Sequence, residues 1–172
     1  MDSLIEAMKR YLATNFSFYL KTHQFHWNVE GPNFPQYHEF LNDLYNEVWE
    51  ASDAIAEHIR AINGYAPGSY KDYKELTMID DQTDLKIDAA QMFNILYGDN
   101  GTVMEAIKIA YKAAEFNNEI GLSNFLQDRM DIHKKHAWMI RSINKIWPDI
   151  LIYLNKILEK TFSNKKEKRN GI

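Results

Sequence analysis

Four side chains near the start of the sequence have types and spacings that could hold a transition metal: His26, His38, Asp53 and Glu57. Asp53 and Glu57 are four residues apart, so on a helix their carboxylates leave one face a turn apart, within reach of a single ion. An acidic pair alone is ordinarily a solvated face. The histidines shift that balance. Gly31 and Pro32 lie between His26 and His38, so a tight connection brings two imidazoles to the same end of a helical pair. A lone histidine in an apolar stripe is ordinarily a core residue, whereas two meeting across a turn make a better ligand pair. Cysteine is absent, which excludes disulfides, thiolate metal sites and a cysteine nucleophile. Any metal must then be held by imidazole and carboxylate.

These groups need helices to position them. Ile5, Met8, Leu12, Phe16, Tyr19, His23 and His26 advance by three or four positions, the period of one long amphipathic helix. Asn28 to Phe34 is a tight connection, and Pro35 stands in the first turn of a second helix, where proline is tolerated. That helix runs to the stop at Asn63-Gly64. Residues 64–86 form a long connection with room for a short helix around Asp72 to Leu76. A third long helix covers about Asp88 to Asn117, although Gly98 and Gly101 invite a break near Gly98. Gly121 then separates it from a fourth, Leu122 to Ile146, which Trp147-Pro148 ends, and a short amphipathic piece carries Ile150, Leu151, Leu154, Ile157 and Leu158.

The expected architecture is an all-α four-helix bundle with a short helix between helices two and three. The bundle and its C-terminal helix take residues 1–162, followed by a basic tail over 163–172. A hydrophobic fraction of 45% in 172 residues suffices for one self-contained core. No run is long and apolar enough for a membrane span, and the polar Met1-Asp2-Ser3 start lacks a secretory signal pattern, so a cytoplasmic location is expected. The net charge of −4 argues against a surface that is basic throughout.

Geometry complicates the metal site. Fifteen residues of helix separate His38 from Asp53, about 22 Å at a rise of ~1.5 Å per residue, so one chain cannot bring both to one ion. A bundle-buried diiron site would need Glu-x-x-His pairs, and no glutamate lies three residues before any of the six histidines. An antiparallel pairing of two second helices across a two-fold axis would instead set the histidine end of one subunit beside the acidic end of its partner, making two identical sites.

The run His26-Trp27-Asn28-Val29-Glu30-Gly31-Pro32-Asn33-Phe34-Pro35-Gln36-Tyr37-His38 resembles the signature of the Dps family, the starvation miniferritins of the ferritin-like superfamily. Asp53 and Glu57 fall where that family places its two carboxylate ligands, while the similarity weakens over residues 64–172. The resemblance implies a hollow, dodecameric shell built from two-fold dimers. It implies that His26 and His38 bind iron from one subunit and Asp53 and Glu57 from the other, that Fe(II) is oxidised to Fe(III) with peroxide or dioxygen, and that ferric mineral is stored, protecting DNA. Trp27, beside a ligand, is expected to pack against the site or to donate an electron.

Several positions depart from the pattern. The acid often found four residues after the second histidine is Asn42, a weaker ligand, so the second iron position is expected to be low in affinity. His58 replaces the arginine that usually follows the second carboxylate, and the proline expected after the helix is displaced to Pro67. His23 shares a face with His26 and is expected to support the ligands or pack in the core. His133 and His136 also share a face, but Lys134 and Lys135 between them point to a solvated one. Glu119, Asp128 and Asp131 are candidates for an acidic pore that draws Fe(II) inward, although Asn124 stands near the family's pore acid. Lys165, Lys166, Lys168 and Arg169 could contact DNA phosphates nonspecifically. With almost no N-terminal arm, DNA binding and any nucleoid association rest on that tail. The alternatives are a structural DNA-compacting shell with a weak or vestigial metal site and a bundle used only for protein interaction.

Overall fold

A computed structural model describes residues 1–144. The order is α1 (Asp2–Asn28), α2 (Phe34–Ala61), α3 (Tyr70–Leu76), α4 (Ala89–Phe116) and α5 (Ile120–Asn144). The four long helices form the bundle. α1 packs against α2, α4 and the short α3, and α5 packs against α4. Side chains close the ring between α2 and α5, where the His58 ring packs tilted against Phe125 at 4.5 Å between ring centroids.

Each long helix is held by an apolar stripe. Leu4, Met8, Tyr11, Phe18 and Phe25 of α1 meet Leu41, Val48, Ile55 and Ile59 of α2, Phe93, Leu96, Val103 and Ile107 of α4, and Leu126 and Ile140 of α5, all fully buried or nearly so. Burial of each large side chain contributes ~1.5–3 kcal/mol, far more than helix propensity supplies.

The element ends follow the expected chemistry. Pro35 sits in the first turn of α2. At its other end Asn63 takes the left-handed conformation, φ 64°, and the Gly64 amide donates back to the Ile59 carbonyl at 2.9 Å. Ser69 caps α3 by accepting from the Asp72 amide at 3.1 Å, while its hydroxyl donates to the Asp72 carboxylate at 2.6 Å and holds that carboxyl below its usual range. Asp88 and Gln91 form a reciprocal capping box at the start of α4. The segment between α3 and α4 is tied to α1: the Met78 amide donates to Thr14 Oγ1 at 3.2 Å and Gln24 Nε2 to the Gln82 carbonyl at 3.2 Å.

The third long helix forms as expected, without the break that Gly98 invites, and one boundary, the start of the fourth, differs from expectation. α4 runs unbroken through Gly98 and Gly101. Both glycines face open space while Asn100 between them is fully buried, so the packing of Leu96, Asn100 and Val103 carries the helix through. The α4–α5 turn is made by Asn118, φ 57°, and Gly121 lies inside α5 rather than ahead of it. The end of the fourth helix beyond Asn144, the Trp147-Pro148 stop, the amphipathic piece from Ile150 and the basic tail lie outside the described residues.

Candidate metal centre

The α1–α2 connection brings His26 and His38 together as expected. Their rings stack with centroids 3.7 Å apart and planes 21° from parallel. The Nδ1 of His26 meets the His38 carbonyl at 2.9 Å, and the Nδ1 of His38 meets the His26 carbonyl at 2.9 Å. A carbonyl oxygen can only accept, so each Nδ1 carries the proton and donates it. That leaves Nε2 of each ring as the nitrogen that can offer a lone pair, and it has no protein hydrogen bond among the described residues. A reciprocal backbone lock thus fixes the tautomer and orientation of both rings, as metal-binding histidines require.

An aromatic wall backs this pair. Tyr45 stacks on His23 at 4.0 Å and meets the edge of His26 at 5.2 Å. Trp27, 62% exposed, lies 4.2 Å from His23. His23 Nδ1 is paired with the Tyr19 hydroxyl at 3.3 Å, and burial, with the neighbouring His26 adding, lowers the His23 pKa. His23 therefore packs behind the pair. Asn42 Oδ1 accepts from the Tyr45 hydroxyl at 3.0 Å, which occupies one of its lone pairs.

Asp53 and Glu57 occupy the outer face of α2, exposed, with no hydrogen-bond or ion-pair partner among the described residues. Within one subunit's described residues no three His, Asp or Glu side chains gather as a metal-ready set. The structure thus brings the histidines together, His26 buried and His38 half-buried, and keeps the exposed carboxylates apart from them. Of the pore candidates, Asp128 and Asp131 are exposed on α5 and Glu119 is half-buried at its start. Lys134 pairs with Asp131 at 3.0 Å and offsets its charge.

The expectation for His133 and His136 is overturned. Both are buried, at 0% and 8% exposure, and Lys134 and Lys135 alone reach solvent. Leu122, Leu126, Arg129, His133, His136 and Ile140 step by four and three along α5, a core-facing stripe. Across the bundle Arg129 makes a two-pronged ion pair with Glu47 of α2, and Lys21 of α1 pairs with Asp99 of α4 at 2.6 Å. Reading these residues by type rather than by period conceals them, and the four-three spacing was the available signal.

A four-helix bundle whose α1–α2 hairpin holds a locked imidazole pair at one end and free carboxylates along its second arm has the form of a ferritin-like subunit. The family model for the ferritin-like domain matches residues 5–147. DNA protection during starvation protein 2 of Bacillus anthracis is 30% identical over 139 residues, which cover 81% of this chain and 94% of that protein. The crystal structure of a Dps protein from Bacillus brevis superposes with a TM-score of 0.77 at 28% identity, covering 81% of this chain and 93% of that one. Antigen TpF1 from Treponema pallidum superposes with a TM-score of 0.80 at 25% identity, covering 84% and 92%. The chain belongs to the ferritin-like family, in its Dps branch.

Proposed function

We propose that this chain is a subunit of a hollow, dodecameric miniferritin that oxidises Fe(II) at sites shared between two-fold partners and stores the ferric product. The observation that carries the reading is the His26–His38 lock, which presents two Nε2 lone pairs while the carboxylates needed to complete the site stand about 22 Å of helix away. Asp53 and Glu57 of a partner supply the anionic half. With peroxide as oxidant, two Fe(II) each give one electron, the O–O bond breaks, and two protons complete two waters. Trp27 packs beside His23 and is an exposed indole that could give up an electron. Asn42 makes the second iron position the weaker one. Glu119, Asp128 and Asp131 are the acids that would attract Fe(II) to an entry pore.

The test is anaerobic Fe(II) loading followed by peroxide, monitored by ferric absorbance, for the wild type, His38→Ala and Asp53→Ala. Both variants should lose most of the rapid phase. Oxidation at the wild-type rate in both would remove these residues from the site.

A second reading adds DNA. It is favoured by the names of relatives that protect DNA during starvation and by Lys165, Lys166, Lys168 and Arg169 set against Glu167 in the sequence. The shell then binds DNA through counterion release, in the cytoplasm at the nucleoid, and binding falls steeply with salt. Truncation after Phe162 should abolish a low-salt mobility shift; an unchanged shift removes the tail from the reading. A shell that compacts DNA but oxidises no iron would show the shift and fail the peroxide assay.

A further inference from the structure

The bundle centre, remote from the proposed interface site, holds more polar side chains than an ion pair needs. Glu47 of α2 and Arg129 of α5 face each other there, with Arg129 Nη2 3.2 Å from Glu47 Oε2 and 3.4 Å from His133 Nε2. His136 Nε2 stands 3.5 Å from the same Glu47 oxygen. Asn100 Nδ2 donates to the His133 carbonyl at 2.9 Å, which turns Asn100 Oδ1 toward His133 Nδ1 at 2.7 Å. That oxygen only accepts, so His133 carries its proton on Nδ1 and presents its Nε2 lone pair inward. Three further buried polar atoms in this cluster have no partner of hydrogen-bond geometry among the described residues, Tyr11 Oη, Arg129 Nε and His136 Nδ1, although the Tyr11 hydroxyl lies close enough to Arg129 to feel its charge.

One guanidinium nitrogen is thus surrounded by a carboxylate oxygen and an imidazole lone pair, with a second imidazole beside them. That is the donor set a divalent transition metal takes, at the place in a bundle where side chains of facing helices build metal sites. Both imidazoles are held neutral, the form in which they ligate. Burial is the main cause, lowering His136 to about 4 against the pull of Glu47 and taking His133 well below its usual value. Glu47 and Arg129 cancel in charge, and with the guanidinium between them Glu47, His133 and His136 do not gather as a metal-ready set.

We propose that the centre of the bundle is a metal site built from Glu47, His133 and His136 that Arg129 keeps closed, the guanidinium standing where a divalent cation would bind. Arg129 is then a specificity residue. By filling the interior site, it confines metal to the surface of α1 and α2.

The probe is Co2+, added anaerobically to the full-length protein carrying His26→Ala and Asp53→Ala so that the interface site is silent. Without a further change this protein should bind no Co2+ at the centre. Adding Arg129→Met should create one site per subunit, seen in binding stoichiometry and as visible Co2+ absorption bands. Adding Glu47→Gln or His133→Ala should remove it. Methylguanidinium should compete with Co2+ in the Arg129→Met protein. The proposal is overturned if that protein folds and gains no Co2+, if the gained site survives both ligand substitutions, or if Co2+ binds the centre while Arg129 is present. Should the Arg129→Met protein not fold alone, Co2+ or methylguanidinium should restore folding, and failure of both overturns the proposal equally. These outcomes are independent of whether the interface site oxidises iron.

Discussion

At the scale of single residues, hydrogen-bond direction does most to define the site. The His26 and His38 carbonyls leave each imidazole only one neutral tautomer, so the nitrogens that the proposed function assigns to a metal are oriented in advance. Asn42 lies one helical turn beyond His38 with its oxygen already engaged by Tyr45. Asn42→Asp adds a negative charge where the amide now stands, and the second Fe(II) should bind about tenfold more tightly, the scale of ~1.4 kcal/mol for one improved ligand. An anaerobic titration should then resolve two irons per site, and an unchanged isotherm would show that Asn42 does not limit the second position. The buried histidines make a different prediction. Both have folded pKa values below the ordinary one, so below pH 6.5 the unfolded chain takes up protons that the folded chain refuses. Their contribution is intact above pH 6.5 and is lost as pH falls. For His136, with its value moved from 6.5 to about 4, the loss by pH 4 is about 3 kcal/mol per subunit. Burial is the main cause of this value; of the charged groups facing the ring, Glu47 on α2 raises it and Arg129 and Lys135 on α5 lower it. Urea midpoints should therefore fall between pH 6.5 and 4 in the wild type and fall less in His136→Gln.

At the scale of elements, the glycines separate what local sequence dictates from what packing decides. A Cβ on Gly64 would meet Ile5 Cγ2 at 2.8 Å, Ile59 Cγ2 at 2.9 Å and the Ile59 carbonyl at 3.1 Å. One of these neighbours is backbone and cannot yield, so Gly64→Ala should destabilise by ~1–3 kcal/mol. Gly98 is helical with nothing within 4 Å of the added carbon, and Gly98→Ala should stabilise by ~0.5–1 kcal/mol. Thermal unfolding of the two variants should shift in opposite directions; a shared sign would contradict the account. The same contrast explains which elements were legible. The hairpin of α1 and α2 carries its own signals in the Gly31-Pro32 turn, Pro35 and the Asn63-Gly64 stop, and its histidines meet as their spacing requires. α4 and α5 depend on tertiary contacts. Gly98 reads as a breaker until Asn100 is seen buried beside it. The stripe through Arg129, His133 and His136 reads as solvated because charged and titratable types usually are. Its four-three spacing with Leu122, Leu126 and Ile140 marks it as a core stripe, and the facing Glu47 and Asn100, distant in sequence, supply the partners that let it be buried.

At the scale of the whole molecule, one subunit carries the imidazole pair and the carboxylate pair apart from each other, together with several exposed large apolar side chains. Trp27, Trp49 and Trp138 are 62%, 51% and 56% exposed, and Phe116 and Ile120 at the α4–α5 turn are 85% and 74% exposed. For the proposed function, a two-fold axis is the simplest operator that gives each histidine pair a carboxylate pair. The consequence is quantitative. A His38→Ala subunit lacks the imidazole half and an Asp53→Ala subunit lacks the carboxylate half, so each homodimer should be inactive. In a heterodimer one site inherits both defects, whereas the other combines the intact His38 of one chain with the intact Asp53 of the other. Random exchange of equal amounts makes half of the dimers mixed, with one of two sites restored in each, so recovery should approach about a quarter of the wild-type initial rate. Exchange must be shown independently, for instance by fluorescence transfer between labelled subunits. Full exchange without recovery would place all four groups in one subunit's site, against the helical separation of His38 from Asp53. Recovery well above a quarter would mean that one of the two substitutions leaves its own site working.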